Sequence, residues 1–207
     1  MNPKQERKTL RIVVCGDQEV GKTTLTNIIT HTRELFDYYT PTIGVEYKTR
    51  YIFDRDIKLA FWDLSGDKRF EKITYPYVSM DCLVIFVYDV NKLESAKRII
   101  DLHEKYRKTG WSGKAIVVGN ILETKNQCAN YNIGYGQNFA NSFGYTFFLV
   151  DIDQKTGIQD LETSIFKILE LDKENKIRAE KYVKEKAKKN FQQQVVDCIC
   201  LKKCSIM

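Results

Sequence analysis

The segment Gly16-Asp-Gln-Glu-Val-Gly21-Lys22-Thr23 has the residue types and the spacing of a loop that binds phosphate groups. Its glycines allow a tight turn and a close approach of the backbone to a ligand, so that successive N–H groups and the start of a following helix face phosphate oxygens. Lys22 would neutralise charge on the β- and γ-phosphates, and the Thr23 hydroxyl would bind Mg²⁺. The motif predicts a nucleoside triphosphate site, but it does not distinguish a kinase from an ATPase or a GTPase.

The predicted elements around this loop are those that the motif requires. Apolar runs and alternating patterns predict six strands, at residues 10–15, 45–53, 57–61, 82–88, 115–118 and 146–150. Helical spacing of apolar residues predicts helices at residues 25–29, 93–103 and 158–169. Strands that alternate with helices predict an α/β domain with a six-stranded, mostly parallel sheet and helices on both faces.

Four later segments make the interpretation specific: Tyr39–Gly44, Trp62–Asp67, Gly119–Glu123 and Asp153–Gly157. In their order and spacing from the phosphate loop, they resemble the Ras-like small GTPases over residues 10 to about 171. Within that superfamily the chain is similar to the Rab branch, because residues 42–48 are similar to its switch I, and residues 67–74 and 86–90 to its switch II and the strand after it. The resemblance implies a P-loop NTPase fold that binds GTP, GDP and Mg²⁺.

The resemblance also gives individual residues their roles. Thr42 would close over Mg²⁺ and the γ-phosphate, Asp63 would hold Mg²⁺ through water, and the Gly66 N–H would bond the γ-phosphate. Loss of that phosphate would release the switch I segment (residues 40–50) and the switch II segment (residues 66–78), through which effectors are recruited. The implied catalytic residues are Lys22, Thr42, Gly66 and Asp67, and the implied metal ligands are Thr23, Thr42 and Asp63. The implied nucleotide contacts are Gly16, Asp17, Gln18, Glu19, Val20, Gly21, Lys22, Thr23, Thr24, Tyr39, Thr42, Asp63, Gly66, Asn120, Ile121, Glu123, Asp153, Gln154 and Lys155.

The base-reading segment departs from the family pattern Asn-Lys-x-Asp, because here it reads Asn120-Ile121-Leu122-Glu123. A carboxylate accepts from the N1–H and N2–H₂ donors of guanine and repels the acceptor that adenine presents, so Glu123 keeps the discriminating charge. Ile121 still packs as an apolar body but lacks the ammonium group of lysine. Asp153 and Gln154 replace the first two residues of Ser-Ala-Lys, and the Gln154 backbone N–H would reach the guanine O6. We expect guanine selectivity with weakened affinity.

Two further departures concern hydrolysis. Asp67 stands where the family places the Gln that orients the attacking water, and Gln18 adds bulk at a phosphate-loop position where Ras proteins have Gly. A carboxylate that is ionised at neutral pH accepts hydrogen bonds but donates none. We therefore expect a slow GTPase. The alternatives are a GTP-binding module with negligible hydrolysis, controlled by partners or abundance, and an ATP-using P-loop kinase, for which no ATP-reading site or phosphoacceptor pocket is visible.

The charge distribution divides the chain into a neutral body and a basic tail. Residues 173–207 carry ten Lys and Arg against four Asp and Glu, which accounts for the whole net charge of +6. The pattern argues against a nucleic-acid polymer as partner, because the basic excess would then lie on the folded body. It favours an anionic membrane surface, although a solvated helical tail without a partner is the alternative. We predict an N-terminal extension (1–9), a G domain (10–171) and a hypervariable tail (172–207).

The final four residues, Cys204-Ser-Ile-Met207, form a CaaX sequence, and Met at the last position favours farnesylation of Cys204. The basic tail would supply the second anchoring signal that a single lipid chain needs. Cys198 and Cys200 are open to palmitoylation or remain free thiols. The polar N-terminus predicts no secretory signal, and the cysteine spacing indicates a reduced, intracellular protein. The resemblance implies an exchange factor, an activating protein, a prenyl-binding escort, and residence on the cytoplasmic face of a membrane with a cytosolic pool.

Overall fold

The structure, a computed structural model, describes residues 8–32, 40–53, 57–79, 81–122 and 132–168. The strands are β1 (Lys8–Gly16), β2 (Val45–Ile52), β3 (Ile57–Leu64), β4 (Leu83–Asp89), β5 (Ala115–Ile121) and β6 (Thr146–Asp151). The α-helices are α1 (Lys22–Thr30), α2 (Glu71–Thr74), α3 (Leu93–Lys108), α4 (Ile133–Phe143) and α5 (residues 158–168), and short 3₁₀ helices flank α2 at Lys68–Phe70 and Tyr75–Tyr77. The predicted α/β fold is therefore confirmed.

The strands form one sheet in the order β2-β3-β1-β4-β5-β6. β2 pairs antiparallel with β3 as a hairpin, and every other pairing is parallel. The order of the strands reverses at β1, which lies between β3 and β4. A ligand of an open α/β sheet binds at such a reversal, outside the carboxyl ends of the strands. The loop after β1 starts at this point, and the loops after β3, β5 and β6 share its edge.

The central strands are apolar because both faces of the sheet are covered. Val13 and Cys15 of β1 lie in a buried cluster with Phe86 of β4 and Tyr106 of α3. Ile12 and Val14 point to the opposite face, since side chains alternate along a strand, and they are equally buried. This burial fixes the register of β1 and therefore the position at which the next loop leaves the sheet.

Three elements differ from the sequence expectation, and the shortest is α2 (Glu71–Thr74), a single turn that no helical spacing of apolar residues predicts. α4 was not predicted, because its sequence contains two glycines and no charged residue. β5 continues through Ile121, so Gly119, Asn120 and Ile121 lie within the strand and not after it. The cause is pairing on both sides, with Asn120 opposite Asp89 of β4 and Val150 of β6.

The described residues up to Ser164 belong to one compact unit, and a second unit begins at Ile165, where only the remainder of α5 is described. The predicted boundary at residues 171–172 falls outside the described residues. Within the described ranges, no helix has both the length and the apolar character needed to cross a bilayer.

Candidate functional site

The phosphate loop (residues 16–23) joins the end of β1 to the start of α1. Gly21 is the N-cap of α1 and has a left-handed φ of 86°, which glycine adopts without strain. It has no side chain to cap the helix, so the first N–H groups of α1 are available to phosphate oxygens. The Lys22 side chain is only 6% exposed, and its Nζ donates to the carbonyl oxygen of Asp17. The loop therefore presents donors and a buried positive charge at one place.

Burial lowers the pKa of Lys22, and the nearby negative charge of Asp63 opposes that effect. The ammonium group is thus held in a place where water solvates it poorly. An anionic ligand would restore the lost solvation, because opposite charges attract more strongly where water is excluded.

Three residues predicted to bind Mg²⁺ come together beside this loop. The Thr23 hydroxyl donates to Asp63 Oδ2 over 2.5 Å, and it lies 3.0 Å from the Thr42 hydroxyl. Asp63 is fully buried at the end of β3, and its Oδ1 has no hydrogen-bond partner among the described residues. Burial raises the pKa of Asp63, while the bond from Thr23 and the charge of Lys22 oppose the rise.

These oxygen donors fit a hard divalent cation. A buried carboxylate oxygen without a partner and two hydroxyls suit Mg²⁺, which prefers oxygen ligands and completes its shell with water and substrate phosphates. The described ranges contain no group of three or more His, Cys, Asp and Glu placed to hold a metal ion. Thr23, Thr42 and Asp63 are the described residues that could hold Mg²⁺ together with a phosphate ligand.

The switch II segment begins in contact with the phosphate loop. A Cβ at Gly66 would lie 2.4 Å from the carbonyl group of Asp17 and from the backbone nitrogen of Gln18. Any other residue would force these two backbones apart. Gly66 therefore lies directly against the phosphate loop, and its contact with the γ-phosphate stays a prediction.

Asp67 does not extend freely into the site. Its Oδ1 accepts from the Arg69 backbone N–H at 2.8 Å, and its Oδ2 accepts from Arg69 Nε at 2.8 Å and Nη2 at 2.5 Å. The carboxylate thereby caps the 3₁₀ helix Lys68–Phe70. The bonds from Arg69, with a smaller contribution from the Gln18 side chain, lower the pKa of Asp67. Asp67, which stands where the family has its water-orienting Gln, is thus an ionised carboxylate that caps a 3₁₀ helix.

The base-reading segment is tied to the phosphate loop through Asn120. Its side chain is fully buried, its Nδ2 donates to the Val20 carbonyl oxygen at 3.0 Å, and its Oδ1 has no partner among the described residues. Ile121, which replaces the family lysine, packs against the hydrophobic core. The predicted contacts Tyr39 and Glu123 lie outside the described residues, as does Cys204.

The segment after β6 contains a backbone contact that its sequence does not reveal. Asp153, Gln154 and Lys155 are exposed, as a base-binding loop requires. The Gln154 backbone N–H, however, donates to Asp151 Oδ1 at 2.8 Å. A guanine O6 would have to replace this carboxylate as the acceptor, which adds to the weakening expected from Ile121 and Glu123.

A cluster of charged residues attaches the switch II segment to α3. Glu71 accepts from Lys105 Nζ at 2.7 Å, from Arg98 Nη2 and from the Tyr75 hydroxyl. Asp101 accepts from Arg98 at 2.6 Å and from Lys105 at 2.8 Å. The spacing of Arg98, Asp101 and Lys105 places three charges on one face of a helix, but it does not reveal their contact with Glu71.

We expect Glu71→Gln to lower the free energy of unfolding by about 2 kcal/mol at pH 7, because it removes the charged hydrogen bonds from Arg98 and Lys105 and leaves the buried Arg98 side chain paired with Asp101 alone among the described residues. Burial alone would raise the pKa of Glu71, but the bonds from Lys105, Tyr75 and Arg98 outweigh burial and hold its pKa at about 2. Since the folded pKa lies below the ordinary value of 4.5, the stabilisation is complete above pH 4.5 and is lost as the pH falls toward 2.

Urea unfolding of both proteins across this pH range measures the effect. Glu94→Gln is the control, because among the described residues the exposed Glu94 forms a surface ion pair with the exposed Lys97. A difference between wild type and Glu71→Gln that stays constant from pH 7 to pH 2 would contradict the assignment.

Comparison with known proteins agrees with this geometry. A sequence model of the Ras family matches residues 11–170. The chain is similar to Ras-related protein RABC1 of Arabidopsis thaliana, with 30% identity over 166 residues that cover 77% of each chain. It is also similar to Ras-related protein Rab7 of Glycine max, with 36% identity over 107 residues, 50% of this chain and 51% of that protein. The match to this second relative spans about half of its length.

Proposed function

The chain belongs to the Ras family and is Rab-like, and from this premise we propose that it is a GTP-binding switch that hydrolyses GTP slowly and recruits effectors at a membrane. Ras and Rab proteins are GTPases that bind GTP and GDP, typically with Mg²⁺. The observation that carries the proposal is the convergence of the Thr23 and Thr42 hydroxyls and the buried Asp63 carboxylate beside the buried Lys22.

The residues of this site would divide the work as follows. Lys22 and the start of α1 hold the phosphates, and Thr23, Thr42 and Asp63 hold Mg²⁺, which supplies charge neutralisation at the β- and γ-phosphates when bound. Gly66 brings the start of the switch II segment against the phosphate loop. Because Thr42 and Gly66 belong to the two switch segments, their contacts near the γ-phosphate position link the bound nucleotide to the effector surface.

We expect GTP and GDP to bind more tightly than ATP, because the Glu123 carboxylate accepts from the N1–H and N2–H₂ donors of guanine and repels the acceptor that adenine presents there. The double substitution Ile121→Lys with Glu123→Asp should tighten GDP binding by about tenfold, since a good bidentate contact to a base edge contributes about 1–3 kcal/mol. Competition among GTP, GDP and ATP for a fluorescent nucleotide measures both effects.

Asp151→Ala provides a second test of the base site. It releases the Gln154 N–H for the guanine O6, so GDP should bind more tightly while ATP stays weak. Asp160→Ala, at an exposed aspartate in α5, is the control. Equal affinities of the wild type for ATP and GTP would contradict the guanine assignment.

A GTP-binding module without significant hydrolysis is the second candidate. One observation favours it, namely that Arg69 occupies both carboxylate oxygens of Asp67. An acid held in this way neither donates to a phosphoryl oxygen nor turns freely toward water. A hydrolysis time course under single-turnover conditions distinguishes the two candidates.

The effector surface that we propose combines the two switch segments with the strands between them. The rings of Tyr47 and Trp62 lie 4.7 Å apart, and those of Trp62 and Tyr77 lie 5.0 Å apart. Ile43 is 80% exposed, and Ile73 is also exposed. Exposed aliphatic and aromatic side chains in one region are typical of a protein-binding surface. Exchange factors and activating proteins would contact the same segments.

For membrane anchoring we propose a farnesyl group on Cys204 supported by the basic tail. Cys204→Ser should move most of the protein from the membrane fraction to the soluble fraction, because each buried lipid CH₂ contributes about 0.8 kcal/mol and the remaining electrostatic attraction is screened by salt. Cell fractionation measures the shift, and mass spectrometry of the C-terminal peptide detects the lipid. Cys128→Ser is the control. The same distribution for wild type and Cys204→Ser would contradict the proposal.

A further inference from the structure

Arg69 and Asp67 form an ion pair at the start of the switch II segment, in which both carboxylate oxygens accept hydrogen bonds from Arg69. The backbone N–H of Arg69 binds one carboxylate oxygen, and its guanidinium group binds the other at two points. The Asp67 side chain is only 14% exposed, whereas that of Arg69 is 82% exposed. The guanidinium carbon also lies 5.8 Å from the centre of the Phe70 ring. Arg69 thus shields the carboxylate on its solvent side.

The pair lies next to the phosphate loop. Gly66, the residue before Asp67, lies against the backbone of Asp17 and Gln18, so the ion pair starts directly beside the phosphate loop. An unpaired carboxylate at this position would repel phosphate groups. The repulsion would be larger for GTP than for GDP, because the γ-phosphate adds negative charge on the side where the switch II segment begins.

We propose that Arg69 is a positioning residue that holds and neutralises Asp67, and that this ion pair maintains the affinity of the site for GTP relative to GDP. The inference rests on the proposed GTP-binding function. The chain has an acid beside the phosphates where the resemblance implies a neutral amide, and Arg69 cancels the charge of that acid. The Asp67–Arg69 pair is then electrically neutral, so Asp67 no longer weakens the binding of a triphosphate.

Arg69→Ala tests the proposal through the ratio of two dissociation constants, that of a non-hydrolysable GTP analogue and that of GDP. We expect the preference for the GTP analogue to fall about fivefold in about 20 mM salt, and to fall less in about 500 mM salt, where exposed charges are screened. Arg69→Lys retains a positive charge and should keep most of the preference. Arg107→Ala removes an exposed arginine from α3 and should leave the ratio unchanged.

The decisive comparison adds Asp67→Asn to Arg69→Ala. The double variant should recover the wild-type ratio, because the charge that Arg69 cancels is then absent. Asp67→Asn alone should raise the preference for the GTP analogue, since it leaves Arg69 unpaired, and this variant keeps the test valid if Arg69→Ala does not fold. An unchanged ratio in Arg69→Ala, or an equal fall in the Asp67→Asn background, would overturn the proposal. A wild type that binds neither GTP nor GDP would instead contradict the proposed function.

Discussion

Lys22→Met is expected to weaken the binding of both GTP and GDP by at least about 100-fold. The substitution removes a buried positive charge from the phosphate loop, and loss of one member of a buried charge pair costs about 3–5 kcal/mol. Methionine has a similar length and tolerates burial. Because burial already lowers the pKa of Lys22, the neutral side chain should be accepted without loss of the fold.

Two measurements on Lys22→Met separate binding from folding. Thermal unfolding of the nucleotide-free protein should show a cooperative transition, while the rise in Tm on adding GDP should disappear, because a ligand stabilises only the state that it binds. Lys97→Met is the control, since Lys97 is an exposed residue of α3 paired with Glu94, and it should keep the rise in full. Retention of wild-type affinity in Lys22→Met would show that the phosphates bind elsewhere.

Asp67→Gln is expected to speed single-turnover GTP hydrolysis by about tenfold, and Gln18→Gly in the same chain should speed it further. The transition state of phosphoryl transfer is anionic, and catalysis consists mostly of positioning water and stabilising charge. A Gln amide accepts from the water and donates toward a phosphoryl oxygen, whereas Asp67 only accepts and is bound by Arg69. Gln18→Gly removes a side chain from the phosphate loop and so makes room for the attacking water.

The matched control is Asp67→Asn, which removes the negative charge without adding the extra methylene. It should accelerate hydrolysis less than Asp67→Gln does, because its shorter amide does not reach as far. Rates come from the conversion of pre-bound GTP to GDP at saturating Mg²⁺. A wild type that hydrolyses at the ordinary Ras rate and is slowed by Asp67→Gln would make Asp67 a working catalytic group and refute this explanation.

The sheet and the phosphate loop could be predicted from sequence because their signals are local. The apolar run of β1, the glycines of the loop and the helical spacing that follows each depend on neighbouring residues, and burial on both faces of the sheet confirms them. α4 gave no such signal. Its two glycines and uncharged polar residues are poor helix formers, and packing of Phe139 and Ala140 against the core overrides that propensity.

Thr23, Thr42 and Asp63, the predicted metal ligands, lie close together. The chain before β2, the loop after β1 and the end of β3 meet at the same edge of the sheet, because β3 is parallel to β1 and antiparallel to β2. The contacts that were missed join residues through the fold. Asp151 and Gln154 are three residues apart, but their bond depends on how the chain turns after β6. The link from Glu71 to Arg98 spans 27 residues and depends on how the switch II segment packs on α3. The hydrogen bonds from Arg69 to Asp67 likewise depend on the 3₁₀ turn at Lys68–Phe70, and no periodic spacing of apolar residues predicts that turn.

The central claim is that this chain binds guanine nucleotides and hydrolyses GTP only slowly. The most direct measurement loads the purified wild-type protein with radiolabelled GTP or ATP in Mg²⁺, removes free nucleotide, and follows the bound nucleotide by chromatography over several hours. We predict retention of GTP without retention of ATP, and a conversion to GDP slower than the Ras rate, on the order of 10⁻⁴ per second or below. Retention of ATP to the same extent, or conversion of GTP within minutes, would contradict the claim.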